Sequence, residues 1–296
     1  MTPSRRAVTL RRSWHFLPGA DRSALAAGPT GGADVLIQEL EDFTPPAARP
    51  TARTLAAALY PAWRAAGRIA AARINPLDGP DGEADLAAVM DGAPDLVMMP
   101  KVDAPEQIVR LDRRIAEHEV RLGLAAGSTE IVPNIESALG LTRTIAIAQA
   151  SRRVTACLVA SEDMVADLGA VRSREGIELA YVRQRFLIEC RAAGVVAIDC
   201  PYTFGDSDGA AAETRQARQL GYTAKAVVRP EHAAVVNAVL TPSAEEIAKA
   251  RRIVEAFETA RGKGEDRASL DGHLIEKPTY TGAQRLLARA AEFGVA

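Results

Sequence analysis

The sequence is poor in the residue types that mark several common classes of protein. Its 296 residues include four histidines and three cysteines, and no pair of cysteines has the spacing of zinc ligands. No apolar run approaches the roughly 20 residues of a membrane span, and the basic N-terminus lacks the apolar segment of a signal peptide. We therefore expect a cytoplasmic protein without disulfides, zinc or membrane contact.

Neither sign of charge dominates the chain. There are 36 basic and 38 acidic residues, which give a net charge of −2, so no general field favours nucleic acid as a partner. Lysine is scarce, and two of the five lysines, Lys101 and Lys225, fall at the ends of strand-like runs. No glycine-rich nucleotide loop follows a strand, and the few histidines make a His-centred triad improbable.

What the sequence does contain is a recurring unit: a short apolar run that ends in charged residues, followed by an Ala/Leu/Arg-rich stretch of helical period. Short buried strands that alternate with helices indicate parallel strands joined by crossovers. Eight such units predict a (β/α)8 TIM barrel as a catalytic domain over residues 1–240, in which residues 1–12 form a loose arm. Enzymes of this fold have the active site at the carboxyl ends of the strands. The runs occupy 13–21, 35–42, 69–76, 96–101, 131–136, 154–163, 195–199 and 224–230.

The remaining residues, 241–296, are predicted to form a C-terminal helical extension. A helix from 241 to about 260 is followed by a polar linker, an apolar segment at 269–275 and a final helix near 281–293. Exposed apolar surface on a tail is costly, so we expect this extension to cover another surface, to extend the barrel or to contact a neighbouring subunit, and we favour the neighbouring subunit. The alternative is that the apolar segment packs on its own barrel.

Two acidic residues at successive strand ends, Glu136 and Asp163, are the strongest candidates for chemistry. Neighbouring parallel strands end side by side, so these carboxylates are predicted to face a common ion. Carboxylates without a His or Cys partner suit Mg²⁺, with Mn²⁺ as the other possible ion. The alternative is that each acid complements the dipole of the helix that follows it.

Two cations at strand ends have a functional and a structural interpretation. Arg73 interrupts an apolar strand, where it either clamps a substrate carboxylate or forms a salt bridge with Glu39, Glu41 or Asp42. Lys101 is either a Schiff-base or phosphate-binding lysine, or a partner in a structural ion pair. The sequence leaves both choices open.

The loop that carries Asp163 offers a second set of ligand-binding groups. Ser161 has the character of a helix N-cap, and the free backbone N–H groups from Ser161 through Glu162 to Asp163 are predicted to hold a substrate carboxylate.

Taken together, the motifs identify a family. The chain resembles the HpcH/HpaI aldolase and citrate lyase superfamily, in the branch of citrate lyase β-subunit-like proteins, over about residues 12 to 290. Each motif is weak alone, but their order and spacing are specific. The motifs include Phe-Leu-Pro-Gly at 16–19, Leu-Glu-Asp at 40–42, Arg-Ile-Asn-Pro at 73–76, Ile-Glu-Ser at 135–137, Glu-Asp-Met at 162–164 and Thr-Pro-Ser at 241–243.

The resemblance implies a (β/α)8 barrel that assembles as a trimer or hexamer. It implies that Glu136 and Asp163 hold Mg²⁺, that Arg73 contacts a substrate carboxylate or carbonyl oxygen, and that Asp42 lies near the metal through water. It further implies that a carboxylate of the C-terminal lid, here Glu276, enters the active site of a neighbouring subunit as an acid/base.

The chain departs from the family pattern at two positions. Arg229 stands where an Ile-His-Pro motif usually supplies histidine, and Glu276 replaces an aspartate. The predicted activity is Mg²⁺-dependent carbon–carbon bond cleavage or formation of a β-hydroxyacyl compound, expected to be an acyl-CoA, that yields a 2-oxo acid and an acyl thioester. The alternatives are a class II aldolase that uses free 2-oxo acids without CoA, which Arg229 leaves open, and a non-catalytic subunit of a larger complex.

Overall fold

The computed structural model of the chain describes residues 5–296 and contains two compact units. The first unit ends at Asn237, and the second runs from Ala238 to Ala296.

The first unit is built around a closed barrel of eight parallel strands in sequential order, which confirms the predicted (β/α)8 fold. Each strand pairs with the next along the chain, and the barrel closes where Ser13 of the first strand pairs with Lys225 of the last. The strands are β1 Ser13–Pro18, β2 Val35–Glu39, β3 Ile69–Arg73, β4 Leu96–Met99, β5 Glu130–Ile135, β6 Ala156–Val159, β7 Val196–Asp199 and β8 Ala224–Val227.

Alternate residues of these strands fill the barrel interior. The inward-facing side chains form one apolar cluster that includes Trp14, Ile37, Met98, Val132 and Leu158. These side chains fill the interior, so the barrel has a solid core rather than a pore. A ligand site is therefore expected at the end of the barrel and not within it.

Helices follow the strands, as the sequence pattern predicts. The predicted helix over 138–150 is broken at Arg143, where the backbone leaves helical geometry at φ −115°. A short helix begins directly after Ser161, where the sequence predicted a helix start. The helices are α1 Arg22–Ala27, α2 Arg49–Ala65, α3 Gly82–Asp91, α4 Pro105–Leu122, α5 Ala138–Thr142, α6 Thr144–Gln149, α7 Glu162–Asp167, α8 Ala180–Ala193, α9 Ser207–Leu220 and α10 Pro230–Leu240.

A buried ion network joins β7 and β8 to the helices outside them. Lys225 Nζ lies 2.6 Å from Asp199 Oδ2 and 2.7 Å from Glu213 Oε1, and Arg183 binds both oxygens of Asp199 at 2.8 Å. All four side chains are buried. Asp199, Cys200 and Glu213 have the spacing of a metal site, but the ammonium group of Lys225 already occupies the space between the two carboxylates.

The arm at 1–12 is not loose in the part that the structure describes. Arg11 is buried and forms a two-point salt bridge with Glu130, at 2.7 and 2.9 Å. Arg12 holds Asp34 at 2.9 Å. The arm is therefore fixed by charged partners that lie far along the chain; residues 1–4 are outside the described residues.

The second unit consists of two helices and a hairpin. Helices α11 (Ala244–Gly262) and α12 (Lys277–Glu292) pack together, with the rings of Phe257 and Tyr280 stacked at 4.6 Å. The apolar segment predicted at 269–275 is an antiparallel hairpin of β9 (Ala268–Leu270) and β10 (His273–Ile275). No helix among the described residues is long and apolar enough to cross a membrane.

Candidate active site

A cavity of about 540 Å³ lies at the carboxyl ends of the barrel strands. This is the end where barrel enzymes place their active sites. Its walls include residues from the loops after β2, β6, β7 and β8. The lining residues are Phe16, Asp42, Phe43, Arg73, Leu158, Ala160, Ser161, Glu162, Asp163, Pro201, Thr203, Val228, Arg229, Pro230 and Glu231.

Glu136, directly after β5, is the most unusual group near this cavity. It is 3% exposed, and neither carboxylate oxygen has a hydrogen-bond partner among residues 5–296. Burial raises the pKa of Glu136 to about 8, against the opposing effect of the Arg73 guanidinium, while Asp163 and Glu41 raise it further. A buried carboxylate left without partners is costly, so its place indicates a role in binding.

Arg73, the last residue of β3, is held by two buried carboxylates. Its Nε donates to Glu39 Oε1 at 2.9 Å, and Nη2 lies 3.2 Å from Glu41 Oε2. The salt bridge considered for this arginine is therefore present, and the same side chain lines the cavity. Within the described part of the chain its Nη1 has no hydrogen-bond acceptor, so the guanidinium is fixed on one edge only.

Two aromatic rings complete the surroundings of Arg73. The guanidinium carbon lies 5.0 Å from the ring centre of Phe16 and 5.9 Å from that of Phe43, within the range of a cation–π interaction. Phe43 is 41% exposed. Sequence reasoning missed this residue, although an aromatic side chain directly after the Leu-Glu-Asp motif was a usable signal.

The loop that follows β2 is held in place by its neighbours. Asn75 Nδ2 donates to the carbonyl of Leu40 at 2.9 Å, which explains the asparagine of the Arg-Ile-Asn-Pro motif. Gly19 approaches the same loop so closely that a Cβ atom there would lie 2.3 Å from the carbonyl oxygen of Glu39. The absence of a side chain at Gly19 therefore allows the Pro-Gly turn to lie in contact with the backbone of the loop after β2.

Lys101 forms a structural ion pair, the second of the two roles predicted for it. Its Nζ binds Glu41 and lies 3.7 Å from Asp42 Oδ1. Although partial burial lowers the pKa of Lys101, the hydrogen bond and charge of Glu41 outweigh it and raise the pKa above its ordinary value. A Schiff-base lysine needs a lowered pKa to be a nucleophile, so this lysine is suited to an ion pair.

The loop after β6 brings Ser161, Glu162 and Asp163 to the cavity wall. Ser161 precedes α7 but does not cap it, since its backbone is helical and its side chain accepts no bond from the helix. Glu162 accepts from Thr203 at 2.9 Å. Asp163 is half-buried and is close enough to Glu136 to raise the pKa of that carboxyl.

The donor set at Glu136 and Asp163 fits a hard divalent cation. Four carboxylate oxygens are available from the two side chains, and those of Glu136 are both buried and unpartnered. Oxygen donors of this kind are what Mg²⁺ prefers. The orphaned oxygens of Glu136 are the observation that supports the fit.

Arg229, on the loop after β8, is a second cation that lines the cavity. The guanidinium is 46% exposed and lies 3.9 Å from Glu231, a weak surface pair. Among the predicted site residues, Arg73, Asp42, Ser161, Glu162 and Asp163 line one cavity.

Glu276 belongs to the second unit. It precedes α12, is 53% exposed, and lies 3.6 Å from Arg267. Its predicted role in a neighbouring active site stays a prediction.

Comparison with known proteins identifies relatives of the chain. A family model described as HpcH/HpaI aldolase/citrate lyase matches residues 12–230. The citrate lyase subunit beta of Escherichia coli strain K12 is 34% identical over 98% of this chain and 96% of that protein. The mitochondrial citramalyl-CoA lyase of Rattus norvegicus is 27% identical over 95% of this chain and 86% of that protein.

A solved structure extends these similarities. The CitE protein of Mycobacterium tuberculosis, in complex with magnesium, acetoacetate and coenzyme A, matches with a TM-score of 0.80 and 26% identity. The match covers 97% of this chain and 99% of that one.

In the metal-free protein, Glu136→Gln is expected to raise the melting temperature at pH 8 and to have little effect near pH 4.5. The folded state holds the Glu136 proton up to about pH 8, whereas the unfolded chain releases it near its ordinary value. The unchanged protein therefore loses stability as the pH rises between these values, and glutamine avoids the loss.

Thermal melts in EDTA at pH 5, 6, 7 and 8 measure this effect. Glu255→Gln, at an exposed position of α11, is the matched control. A difference in melting temperature between Glu136→Gln and the unchanged protein that stays constant with pH would contradict a raised pKa of Glu136.

Proposed function

Because this chain belongs to the HpcH/HpaI aldolase/citrate lyase family, we propose that it is a Mg²⁺-dependent carbon–carbon lyase. Its proposed substrate is a β-hydroxyacyl compound, an acyl-CoA, that is cleaved reversibly to a 2-oxo acid and an acyl thioester. The observation that carries the proposal is the buried, unpartnered carboxylate of Glu136 beside Asp163 and Arg73. The complex of CitE with magnesium, acetoacetate and coenzyme A supports it.

In the proposed reaction the β-hydroxyl group gives its proton to water in the site, and the bond from the hydroxyl carbon to the α-carbon of the thioester breaks. The electron pair of that bond forms an enolate, which is then protonated at carbon. Glu136 and Asp163 would hold the Mg²⁺ ion, with Asp42 near it through water. The chemistry that bound Mg²⁺ supplies is Lewis-acid polarisation, which lowers the pKa of the hydroxyl and orients it.

Arg73 is proposed to stabilise the oxygen charge that develops during cleavage. Glu39 and Glu41 fix its position in advance, and a donor placed before the reaction needs no reorganisation when charge appears. Ser161, Glu162 and Asp163 are proposed to hold the carboxylate of the oxo-acid half through their backbone N–H groups.

Glu276 is proposed to protonate the enolate carbon in the active site of a neighbouring subunit. Its exposure leaves the carboxylate available for such a role. Assembly as a trimer or hexamer and location in the cytoplasm stay predictions.

The second candidate function is a class II aldolase that acts on free 2-oxo acids. Arg229 supports this alternative, since a second cation that lines the same cavity as Arg73 suits a second anionic group of a small substrate.

Thermal shift with a set of ligands distinguishes these functions, because a ligand stabilises only a protein that binds it. Mg²⁺ with oxaloacetate, pyruvate or glyoxylate is tested with and without acetyl-CoA. We expect a shift with oxo acid that requires Mg²⁺ and a further shift when acetyl-CoA is added. An oxo-acid shift that acetyl-CoA does not increase would favour the aldolase, and no shift with any ligand would favour a non-catalytic subunit.

Metal binding is expected to be lost in both Glu136→Gln and Asp163→Asn with the fold intact. Titration calorimetry with Mg²⁺ and Mn²⁺ measures the affinity, and circular dichroism monitors the fold. Asp208→Asn, at an exposed position of α9, serves as the control. Unchanged affinity in the two site variants would refute the metal site.

Arg73→Lys is expected to reduce kcat by about 100-fold or more, the usual effect of removing a donor that stabilises transition-state charge. Lysine keeps the charge but loses the planar fork. Lyase turnover is measured beside Arg113→Lys, an exposed control. Activity close to that of the unchanged enzyme would make Arg73 purely structural.

Mixing inactive subunits tests whether Glu276 acts across subunits. We expect Glu276→Gln and Arg73→Lys proteins to be weakly active alone and to recover activity after they are unfolded and refolded together. Recovery follows because some mixed sites receive Arg73 from one subunit and Glu276 from another. No recovery in verified mixed oligomers would place both residues in sites of a single chain.

A further inference from the structure

Asn134 is a polar residue inside the barrel whose side chain has no protein partner. It is fully buried, and neither its Oδ1 nor its Nδ2 forms a hydrogen bond with residues 5–296. In the register of the sheet it pairs with Leu158, and Val132 lies two residues before it; both belong to the apolar core. A buried amide without hydrogen-bond partners destabilises the folded state, so an apolar residue of similar size would suit the core better.

The position of Asn134 connects it to Glu136. Glu136 directly follows β5 and lies two positions beyond Asn134. An extended backbone over these positions would put the two side chains on the same face, with Cα atoms about 6.6–6.8 Å apart. Both oxygens of Glu136 are likewise buried and unpartnered. Two neighbouring positions thus supply four buried polar atoms that have no hydrogen-bond partner among residues 5–296.

One water molecule between these side chains would give both of them a hydrogen-bond partner. Two hydrogen bonds of about 2.8 Å through one water span more than 5 Å, which suits groups on the same face of a strand that do not touch. Buried waters commonly satisfy polar side chains in this way. Leu158, the pairing neighbour of Asn134, lines the cavity, so the water would lie just below the cavity floor.

We propose that Asn134 is a positioning residue that orients the Glu136 carboxylate through a shared buried water. The amide N–H donates to the water, and the water donates to a carboxylate oxygen of Glu136. This fixes the carboxylate as a ligand for the divalent cation, and it rests on the proposed function in assigning that cation to Glu136. Outer partners of metal ligands typically contribute 10- to 100-fold to metal affinity.

Asn134→Leu separates this role from a structural one. Leucine fills a similar volume and removes the unpartnered amide, so we expect a metal-free melting temperature no lower than that of the unchanged protein. Mn²⁺ affinity, measured by calorimetry, should fall at least 10-fold. Val132→Ala, two residues earlier on the same face, is the control: it should lower the melting temperature and leave the affinity unchanged.

Two outcomes overturn the proposal. One is an Asn134→Leu protein that binds Mn²⁺ within twofold of the unchanged protein. The other is a high-resolution crystal structure of the metal-free protein with no water within hydrogen-bonding distance of both Asn134 and Glu136. Failure of the unchanged protein to bind Mn²⁺ would refute the metal site instead, and the crystal structure would still test the link between the two residues.

Discussion

The mouth of the barrel depends on one imbalance of buried charge. Three buried carboxylates, those of Glu39, Glu41 and Glu136, surround the single buried guanidinium of Arg73. Glu39 and Glu41 are paired with it, whereas Glu136 has no direct partner. Burial accordingly raises the pKa of Glu136 to about 8. A divalent cation would correct this imbalance, which is why the geometry favours metal chemistry over a Schiff base.

The groups around this centre differ in how firmly the fold holds them. Arg73 ends a barrel strand and Glu136 directly follows one, so the backbone of both is set by the sheet. Asp42, Phe43 and Asp163 lie on the loops that follow. Sites on strands are more precise than sites on loops, so Arg73 and Glu136 are the most firmly placed groups of the candidate site, and the groups on the loops are held less precisely.

Much of this arrangement was predictable from the sequence because it is local. Strand-like runs that end in charged residues predicted the barrel, and strand-end residues such as Arg73, together with Asp163 on the loop after β6, were predicted to face one opening. Contacts between distant segments were not predictable: Arg11 binds Glu130, and Lys225 binds Glu213, through pairings that no local pattern encodes. The same limit explains why the partners of Lys101 were left open until its contact with Glu41 was seen.

The ion network around Lys225 has a consequence for how the protein can evolve. It ties β7 and β8 to α8 and α9 through buried groups that all have partners, and it lies between the sheet and the helices, apart from the cavity lining. The loops that leave these two strands carry Thr203 and Arg229 to the cavity wall. Because the strands are fastened from the outside, a substitution in these loops is expected to leave the barrel intact. Arg229, which stands where the family resemblance implies histidine, lies on one of these two loops.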